Sequence, residues 1–210
     1  MREIDVEKVR AETRGCSDLI HFNNAGASLM PAPVADYLCD FLREEEMKGG
    51  YETRSLRNAD IEGFYKSVAL LLNAKPKEIA FVENATRAWD MVFYALPLGP
   101  GDKILTTISE YGSNLIAYLH RAKQTGAELV IVPNDENGQI DVNALEQNID
   151  KKTKLISISH IPTGGGLINP AHDVGRIAKK YTIPFLLDAC QSVGQIHLDV
   201  KAIGCDFLSG

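Results

Sequence analysis

The chain has 210 residues, of which 45% are hydrophobic and 24% charged, and it carries a formal net charge of -6 at pH 7. This length can bury one substantial core, while the acidic balance argues against nucleic acid or an anionic membrane as the main partner. No apolar run approaches the roughly 20 residues that are needed to span a bilayer.

The charged N-terminal stretch MREIDVEKVRAETRG lacks the apolar core of a signal peptide, which predicts a cytoplasmic location. The four cysteines form no CxxC pair, and the five histidines show no metal-ligand spacing. No metal site is therefore expected, and the cysteines are interpreted as reduced and mostly buried thiols.

Helical signals dominate the N-terminal part of the chain. An acidic N-cap predicts a short helix over residues 5–13. Small and turn-forming residues over 21–28 predict a loop, and the prolines that follow suit the first turn of a second helix, which Gly49 and Gly50 end. An apolar stripe over residues 59–72 predicts a further helix that packs into the core.

After that helix, short apolar runs alternate with helical patterns. The helix after the second run carries Leu115, Ile116 and Leu119 on its apolar face. Strands separated by helices pair in parallel through right-handed crossovers, so the sequence predicts one α/β domain after a helical lead-in. The runs with strand length lie at residues 79–82, 103–107, 129–132, 155–159, 184–188 and 206–208.

Asp188 follows an apolar run, residues 184–187, that lacks polar alternation and is typical of a strand covered on both faces. In an open α/β sheet, ligands bind beyond the carboxyl ends of strands, so this carboxylate faces a candidate site. A plain cap of the next turn explains Asp188 equally well, and only the neighbouring junctions favour a ligand.

Other strand ends also carry polar or small residues. Asn84, Ala85 and Thr86 open a helix whose free N–H groups and hydroxyl suit a phosphate, although such residues at a helix start are more often only caps. The ring of Tyr111 can cover a planar ligand. Thr163 precedes three glycines, which either permit close backbone approach or form a flexible surface loop.

Together, these junctions offer a phosphate cradle, an aromatic ring, a hydroxyl and a carboxylate. That set suits pyridoxal 5'-phosphate (PLP), because a carboxylate keeps the pyridine nitrogen protonated and makes the ring an electron sink for a carbanion at the substrate Cα. No GxGxxG pattern follows a strand, which argues against a dinucleotide-binding domain.

Five motifs carry a family resemblance, in the order NNAGASLMP, ENATRAWD, SHIPTGGGLINP, DACQSVGQ and GCDFLSG. They resemble the class V aminotransferase family of fold type I PLP enzymes. Isopenicillin N epimerase-like proteins and related C–S lyases are the nearest branch, and cysteine desulfurases and kynureninase are more distant. The resemblance implies the PLP-dependent transferase large domain over residues 21–210, a three-layer α/β/α fold with a mainly parallel sheet, after a lead-in over residues 1–20.

The resemblance also implies roles for individual residues. Asp188, as the catalytic residue, would pair with the pyridine nitrogen, and Gln191 would bond the ring hydroxyl. Ala85 and Thr86 would hold the phosphate, and Ser209 would contact it as well.

Three further positions complete the expected site. Tyr111 stands where desulfurases place a ring-stacking His, so an imidazole that can move protons is lost, and the desulfurase interpretation is weakened. Thr163 stands where many relatives have Asn near a cofactor oxygen. The substrate-side loop is expected to contain Asn23, Asn24 and Ala25.

In the family, the Schiff-base lysine follows the SG of the last motif, and the chain ends at that SG. Lys201 precedes the motif and is interpreted as a solvated surface residue. The sequence is thus expected to be truncated before the lysine, with an incomplete large domain whose first strand, residues 79–82, lacks a neighbour.

The leading hypothesis is a PLP-dependent enzyme that acts on a small-molecule amino acid by transamination, epimerisation or C–S and β-elimination chemistry. Like its relatives, it is expected to form a homodimer. The alternative is a catalytically inactive fragment or pseudoenzyme that serves as a binding or dimerisation module.

Overall fold

A computed structural model describes residues 4–210 of the chain. The start of the expected lead-in, residues 1–3, lies outside the described residues. Two compact units divide the chain, one ending at Phe64 and the other running over Tyr65–Gly210. The proposed boundary near residue 20 stays a prediction. Among the described residues, no helix combines the length and the apolar content of a membrane span.

The N-terminal unit is helical. Asp5 caps its first helix by accepting a hydrogen bond from the Lys8 N–H at 3.0 Å. Gly49, with φ of 90°, ends the second helix as expected, but a third helix that the sequence analysis missed begins at Gly50. Its elements are α1 (Val6–Ala11), a 3₁₀ turn (Arg14–Ser17), α2 (Ala32–Lys48), α3 (Gly50–Leu56) and α4 (Asn58–Leu72), the last of which continues into the second unit.

The apolar stripe of α4 is less buried than its pattern predicted. Leu72 is buried in the core, but Phe64 and Leu71 remain 41% and 48% exposed. The C-terminal half of α4 contributes to this core, since Val68 packs against the cluster that contains Leu72.

The C-terminal unit alternates helices with strands. Its helices are α5 (Ala85–Ala95), α6 (Gly112–Thr125), α7 (Val142–Gln147), α8 (Ala171–Tyr181) and α9 (Val200–Ile203), and a 3₁₀ turn covers Pro76–Glu78. Its strands are β1 (Lys103–Thr107), β2 (Glu128–Val132), β3 (Thr153–Ser159), β4 (Phe185–Asp188) and β5 (Phe207–Ser209).

The five strands form one sheet in the order β2-β1-β3-β4-β5. All of the pairings between these five strands are parallel, which confirms the predicted fold class. The chain moves from β1 outward to β2 on one side and from β3 outward to β4 and β5 on the other. The strand order therefore reverses between β1 and β3, and the crevice at their carboxyl ends is where such folds bind ligands.

Side chains alternate between the two faces of the sheet. Ile104, Leu155 and Leu186 point to the face covered by α5 and α6, where Trp89 and Tyr118 lie in the same apolar cluster. The opposite face carries the larger core with α7, α8 and α9. Its buried strand residues are Leu105, Val132, Ile156, Ile158, Phe185 and Leu187. The sheet is thus covered on both faces in three layers.

Two local predictions were wrong. Residues 79–82 are extended but form no strand, because an extended segment becomes a strand only when another strand pairs with it. The apolar face named for α6 is also not its buried face. Ile116 and Leu119 are exposed, and the buried residues of α6 are Asn114, Ala117 and Tyr118.

Candidate functional site

A row of polar residues crosses the carboxyl edge of the sheet. Ser159 of β3 is in register with Asp188 of β4, which is in register with Ser209 of β5. All three are buried. Because register partners point to the same face, the row lies on the α5/α6 face of the sheet. The structure thus brings together two of the predicted site residues, Asp188 and Ser209.

The Asp188 carboxylate is held by two protein donors. The Asn114 side-chain amide donates to Oδ2 at 2.8 Å, and the Cys190 backbone N–H donates to Oδ1 at 3.1 Å. Asp188 is only 9% exposed. The hydrogen bond from the Cys190 N–H is the plain cap of the next turn that the sequence analysis offered as an alternative to a ligand site. The hydrogen bond from Asn114 additionally links Asp188 to the first turn of α6.

Glu110 is the centre of the site, although the sequence analysis assigned it no role. Its Oε2 accepts hydrogen bonds from the Thr106 hydroxyl at 2.9 Å and from the Tyr118 hydroxyl at 3.4 Å. Its Oε1 accepts from the Tyr111 N–H at 2.9 Å, from Asn114 at 3.3 Å and from the Ser159 hydroxyl. The sequence feature that could have identified Glu110 is its position: it is a carboxylate that closely follows β1, and β1 borders the point at which the strand order reverses.

Burial dominates the electrostatics around Glu110. Loss of hydration raises the pKa of its carboxyl above the ordinary value of 4.5, and the hydrogen bonds it accepts, first that from Ser159, oppose this rise. Burial also raises the pKa of Tyr118 well above its ordinary value, so its hydroxyl stays protonated. Tyr118 shares a 2.7 Å hydrogen bond with the buried Ser157.

A buried imidazole supports the loop after β3. The His160 backbone N–H donates to the Asp188 carbonyl at 2.8 Å, and its Nδ1 lies 3.1 Å from the Ser192 hydroxyl. Burial lowers the pKa of this imidazole and favours its neutral form. Sequence reasoning had counted His160 only among histidines without metal spacing.

The N-terminus of α5 lies toward the same edge of the sheet. At the other end of α5, the Leu96 carbonyl accepts a hydrogen bond from Arg121 near the end of α6. Since α6 begins beside Asp188, both helices run away from the carboxyl edge. Asn84 caps α5 by accepting from the Arg87 N–H at 2.8 Å, next to Ala85, which is half-buried, and Thr86, which is exposed.

The remaining predicted residues of the second unit lie in loops or helix starts. Tyr111 is the N-cap of α6, three residues before Asn114, and its side chain is 48% exposed. Gln191 lies in the turn after β4 and is half-buried. Thr163 is exposed in a turn that ends at Gly166, whose φ of 65° explains a glycine there.

The predicted substrate loop lies in the N-terminal unit. Asn23 accepts backbone hydrogen bonds at its carbonyl from the N–H groups of Gly26 and Ala27, and the Asn24 side chain donates to the His21 carbonyl at 3.4 Å. Ala25 lies between them in the same exposed turn. These contacts hold the turn together internally.

Two further expectations concern residues outside this site. Cys16, Cys39 and Cys190 are exposed, so the prediction of mostly buried thiols was wrong, although all four cysteines are free. Lys201 is exposed on α9 and donates to the Asn73 side chain at 3.3 Å, in agreement with a surface role. Over residues 4–210, no cluster of His, Cys, Asp and Glu could hold a metal ion.

The fold and this site define a class of protein. The chain contains an open, parallel α/β sheet with a polar, largely buried site at the carboxyl ends of its strands, beside the switch point. In folds of this class, small-molecule ligands bind in the crevice at this edge of the sheet.

The family model for aminotransferase class-V matches residues 20–210, and the chain belongs to this family. Its members depend on PLP. A probable cysteine desulfurase of Pyrococcus abyssi is 32% identical over 208 residues, which cover 97% of this chain and 52% of the relative. A probable cysteine desulfurase of Synechocystis is 34% identical and matches 90% of this chain and 47% of its own length.

Solved structures agree with the fold. An apo cysteine desulfurase from Thermococcus onnurineus superposes with a TM-score of 0.85 at 30% identity, over 99% of this chain and 53% of the other. The cystine C–S lyase C-DES, bound to cysteine persulfide, has the same fold, with a TM-score of 0.86 at 20% identity over 94% of this chain and 54% of its own. The chain spans about half the length of the relatives it matches.

Proposed function

We propose that this chain is the cofactor-binding portion of a PLP-dependent enzyme that acts on an amino acid. The observation that carries the proposal is the Asp188 carboxylate, buried at the end of β4 and oriented by Asn114 at 2.8 Å. A fixed carboxylate in a partly dry site is suited to hold a proton on the pyridine nitrogen of the cofactor.

Two other features fit PLP. The Ser209 hydroxyl is buried without a hydrogen-bond partner in the described part of the chain, and a buried polar atom of this kind needs a ligand or a water. The N-terminus of α5, an 11-residue helix, offers backbone N–H groups beside Ala85 and Thr86 at the same edge of the sheet. We propose that these three residues hold the phosphate.

The other predicted residues complete the proposed site. Gln191 would bond the ring hydroxyl, Tyr111 would cover the ring, and Thr163 would approach a cofactor oxygen. When bound, PLP supplies an electron sink for charge that develops at the substrate Cα. The residues of this chain bind and orient the cofactor and hold its ring proton. We propose that the substrate-side loop contains Asn23, Asn24 and Ala25.

We further propose C–S chemistry on cysteine or a related amino acid. The names of the relatives support it, since cysteine desulfurases cleave this class of bond. Tyr111 argues against cysteine desulfurase activity in particular, because a phenol stands where the desulfurases have a histidine imidazole. Transamination and epimerisation therefore stay as alternatives within the same machinery.

Self-association and a reducing, cytoplasmic location belong to the same proposal. On α2, Val34, Leu38 and Leu42 are about half exposed or more, and a helix face of this kind favours a partner, which we propose is a second copy of the chain. Free cysteines on the surface are typical of a reducing compartment.

Titration of the purified chain with PLP, followed by absorbance, tests the proposal. We expect saturable binding that Asp188→Ala weakens about 10-fold or more, since hydrogen bonds to charged groups contribute about 1.5–3 kcal/mol. Asp173→Ala is the matched control, because Asp173 pairs with Arg176 and is exposed on α8, which covers the opposite face of the sheet from Asp188. Equal affinity of the wild-type chain and the Asp188 variant would contradict the proposal.

Borohydride reduction of the PLP complex, followed by peptide mass mapping, separates the two functional hypotheses. Trapping at one unique lysine together with amino acid turnover would show an enzyme competent by itself. Binding without trapping would show that the chain binds the cofactor but serves as a binding module or needs a lysine from elsewhere.

A further inference from the structure

Five hydrogen-bond donors converge on the Glu110 carboxylate, and they come from three elements of the fold. Thr106 belongs to β1, Ser159 to β3, and the other donors to the first half of α6 or its N-cap. None of the ion pairs in the described part of the chain involves Glu110. A carboxylate that collects so many neutral donors fixes the elements that provide them.

Asn114 connects this carboxylate to Asp188. Its Nδ2 atom donates to Asp188 Oδ2 at 2.8 Å and to Glu110 Oε1 at 3.3 Å. An amide nitrogen carries two protons in one plane, so each carboxylate takes one of them. If the amide were rotated by 180°, its carbonyl oxygen would face two carboxylates. By accepting from the Asn114 Nδ2 atom, Glu110 therefore favours the amide orientation in which the same nitrogen donates to Asp188.

The bridge spans positions that are remote in sequence. Asn114 and Asp188 are 74 residues apart, and Ser159 and Glu110 are 49 residues apart. Asn114 is 2% exposed, so water cannot replace either of its bonds without a rearrangement of α6. The Asp188 side chain also accepts from the Cys190 N–H, at the opposite carboxylate oxygen.

We propose that Glu110 is a positioning residue, which acts through the Asn114 amide to hold the Asp188 carboxylate in one rotamer at the cofactor site. The role at the cofactor rests on the proposed function, whereas the control of the Asp188 rotamer does not. Neither Glu110 nor Asn114 was among the residues that the family resemblance implied.

The first test measures the Asp188 rotamer without cofactor. Three-bond couplings of the Asp188 β-protons, measured by NMR, report its χ1 angle. We expect one rotamer in the wild-type chain, and averaged rotamers in Asn114→Leu and in Glu110→Ala. Glu110→Gln should restore a single rotamer, since its carbonyl oxygen still accepts the Asn114 proton. A single Asp188 rotamer in Glu110→Ala or Asn114→Leu would overturn the proposal.

The matched control is Asn169→Leu. Asn169 is also 2% exposed and uses both ends of its side chain, accepting from the Ile140 N–H at 3.0 Å and donating to the Ser159 carbonyl at 2.8 Å, but it does not contact Asp188. A comparable loss of stability with an unchanged Asp188 rotamer is expected. If Asn114→Leu fails to fold, the Asp188 rotamer in Glu110→Ala is compared with that in Glu110→Gln. Averaged rotamers in the first variant and a single rotamer in the second would support the proposal, and a single rotamer in both would overturn it.

The second test measures PLP affinity in the same variants. Loss of one positioned hydrogen bond to a charged group predicts about 10-fold weaker binding in Asn114→Leu and Glu110→Ala, with recovery in Glu110→Gln. Failure of the wild-type chain to bind PLP would contradict the proposed function and leave the rotamer result to decide on positioning. Wild-type binding with unchanged affinity in Glu110→Ala would overturn the positioning role alone.

Discussion

The two faces of the central sheet differ in what they bury. The α8 face is mainly apolar, with Phe185, Leu187 and Ile158 packed against α7, α8 and α9, although Thr107 is buried on the same face at the end of β1. The α6 face is apolar only near the amino ends of the strands and becomes polar toward the carboxyl ends, where Ser159 and Asp188 lie.

The α8 face of the sheet therefore serves mainly the stability of the fold, whereas the α6 face carries the candidate binding site. Apolar burial on the α8 face contributes free energy roughly in proportion to area and needs no specific partner geometry. Each polar group on the α6 face must instead find a hydrogen-bond partner, so the arrangement there is specific and costly to disturb. The following substitutions probe that contrast from the largest expected effect to the smallest.

The largest effect is expected for Phe185→Ala on the α8 face. Phe185 is fully buried, and truncation leaves a cavity, so the free energy of unfolding should fall by about 3–5 kcal/mol in urea denaturation. Phe207→Ala is the matched control in the adjacent strand, because Phe207 is 40% exposed and should lose about 1 kcal/mol or less. Equal decreases in the free energy of unfolding for the two variants would contradict the difference in burial between Phe185 and Phe207.

A second probe adds volume on the same face. A Cβ atom at Gly175 of α8 would lie 1.8 Å from the Ile203 carbonyl oxygen of α9, a backbone atom that cannot move aside. Gly175→Ala should therefore destabilise the fold by about 2–3 kcal/mol, measured as a lower thermal midpoint and urea midpoint.

Gly112→Ala on the opposite face is the matched control. A Cβ atom at Gly112 would meet no atom within 4 Å, and the position is helical, so the change should be neutral or slightly stabilising. A well-tolerated Gly175→Ala would mean that α8 and α9 are further apart than described.

The third probe removes one hydrogen bond from the α6 face. Ser157→Ala leaves the fully buried Tyr118 hydroxyl without its 2.7 Å partner and should cost about 1–2 kcal/mol. The double variant with Tyr118→Phe should lose less than the sum of the single variants, because both changes remove the same hydrogen bond. Strict additivity in this double-mutant cycle would argue against the hydrogen bond.

The smallest effect concerns pH. Burial raises the folded pKa of Glu110 above its ordinary value of 4.5, so folding favours the protonated carboxyl. That contribution is complete below the unfolded pKa and is lost as pH rises through the folded pKa. The wild-type chain should therefore lose stability relative to Glu110→Gln as the pH rises above the ordinary value of 4.5 and through the folded pKa, with a slope of at most about 1.4 kcal/mol per pH unit.

Glu146→Gln provides the opposite sign in the same experiment. A hydrogen bond from Lys180 lowers the pKa of the Glu146 carboxyl, so its contribution is present above the unfolded pKa and is lost as pH falls. Parallel pH profiles for the two variants would contradict the difference in environment between Glu110 and Glu146.

The sequence by itself determined the repeating parts of the molecule. Apolar runs of strand length placed all five strands within one or two residues, and capping residues such as Asp5 and Gly49 placed some of the helix ends, because these signals depend on neighbours along the chain. The motifs added the family, and with it the expectation that Asp188 lies in a PLP site.

Only the tertiary structure decided which residues meet. Residues 79–82 have a strand pattern but gain no partner, and the face of α6 that is buried is the polar face of Asn114 rather than that of Ile116. Glu110 and Asn114 escaped the sequence analysis because their partners lie on other strands, up to 74 residues away. Hydrogen bonds of buried side chains are set by how helices pack on the sheet, and no local pattern in the chain encodes that contact.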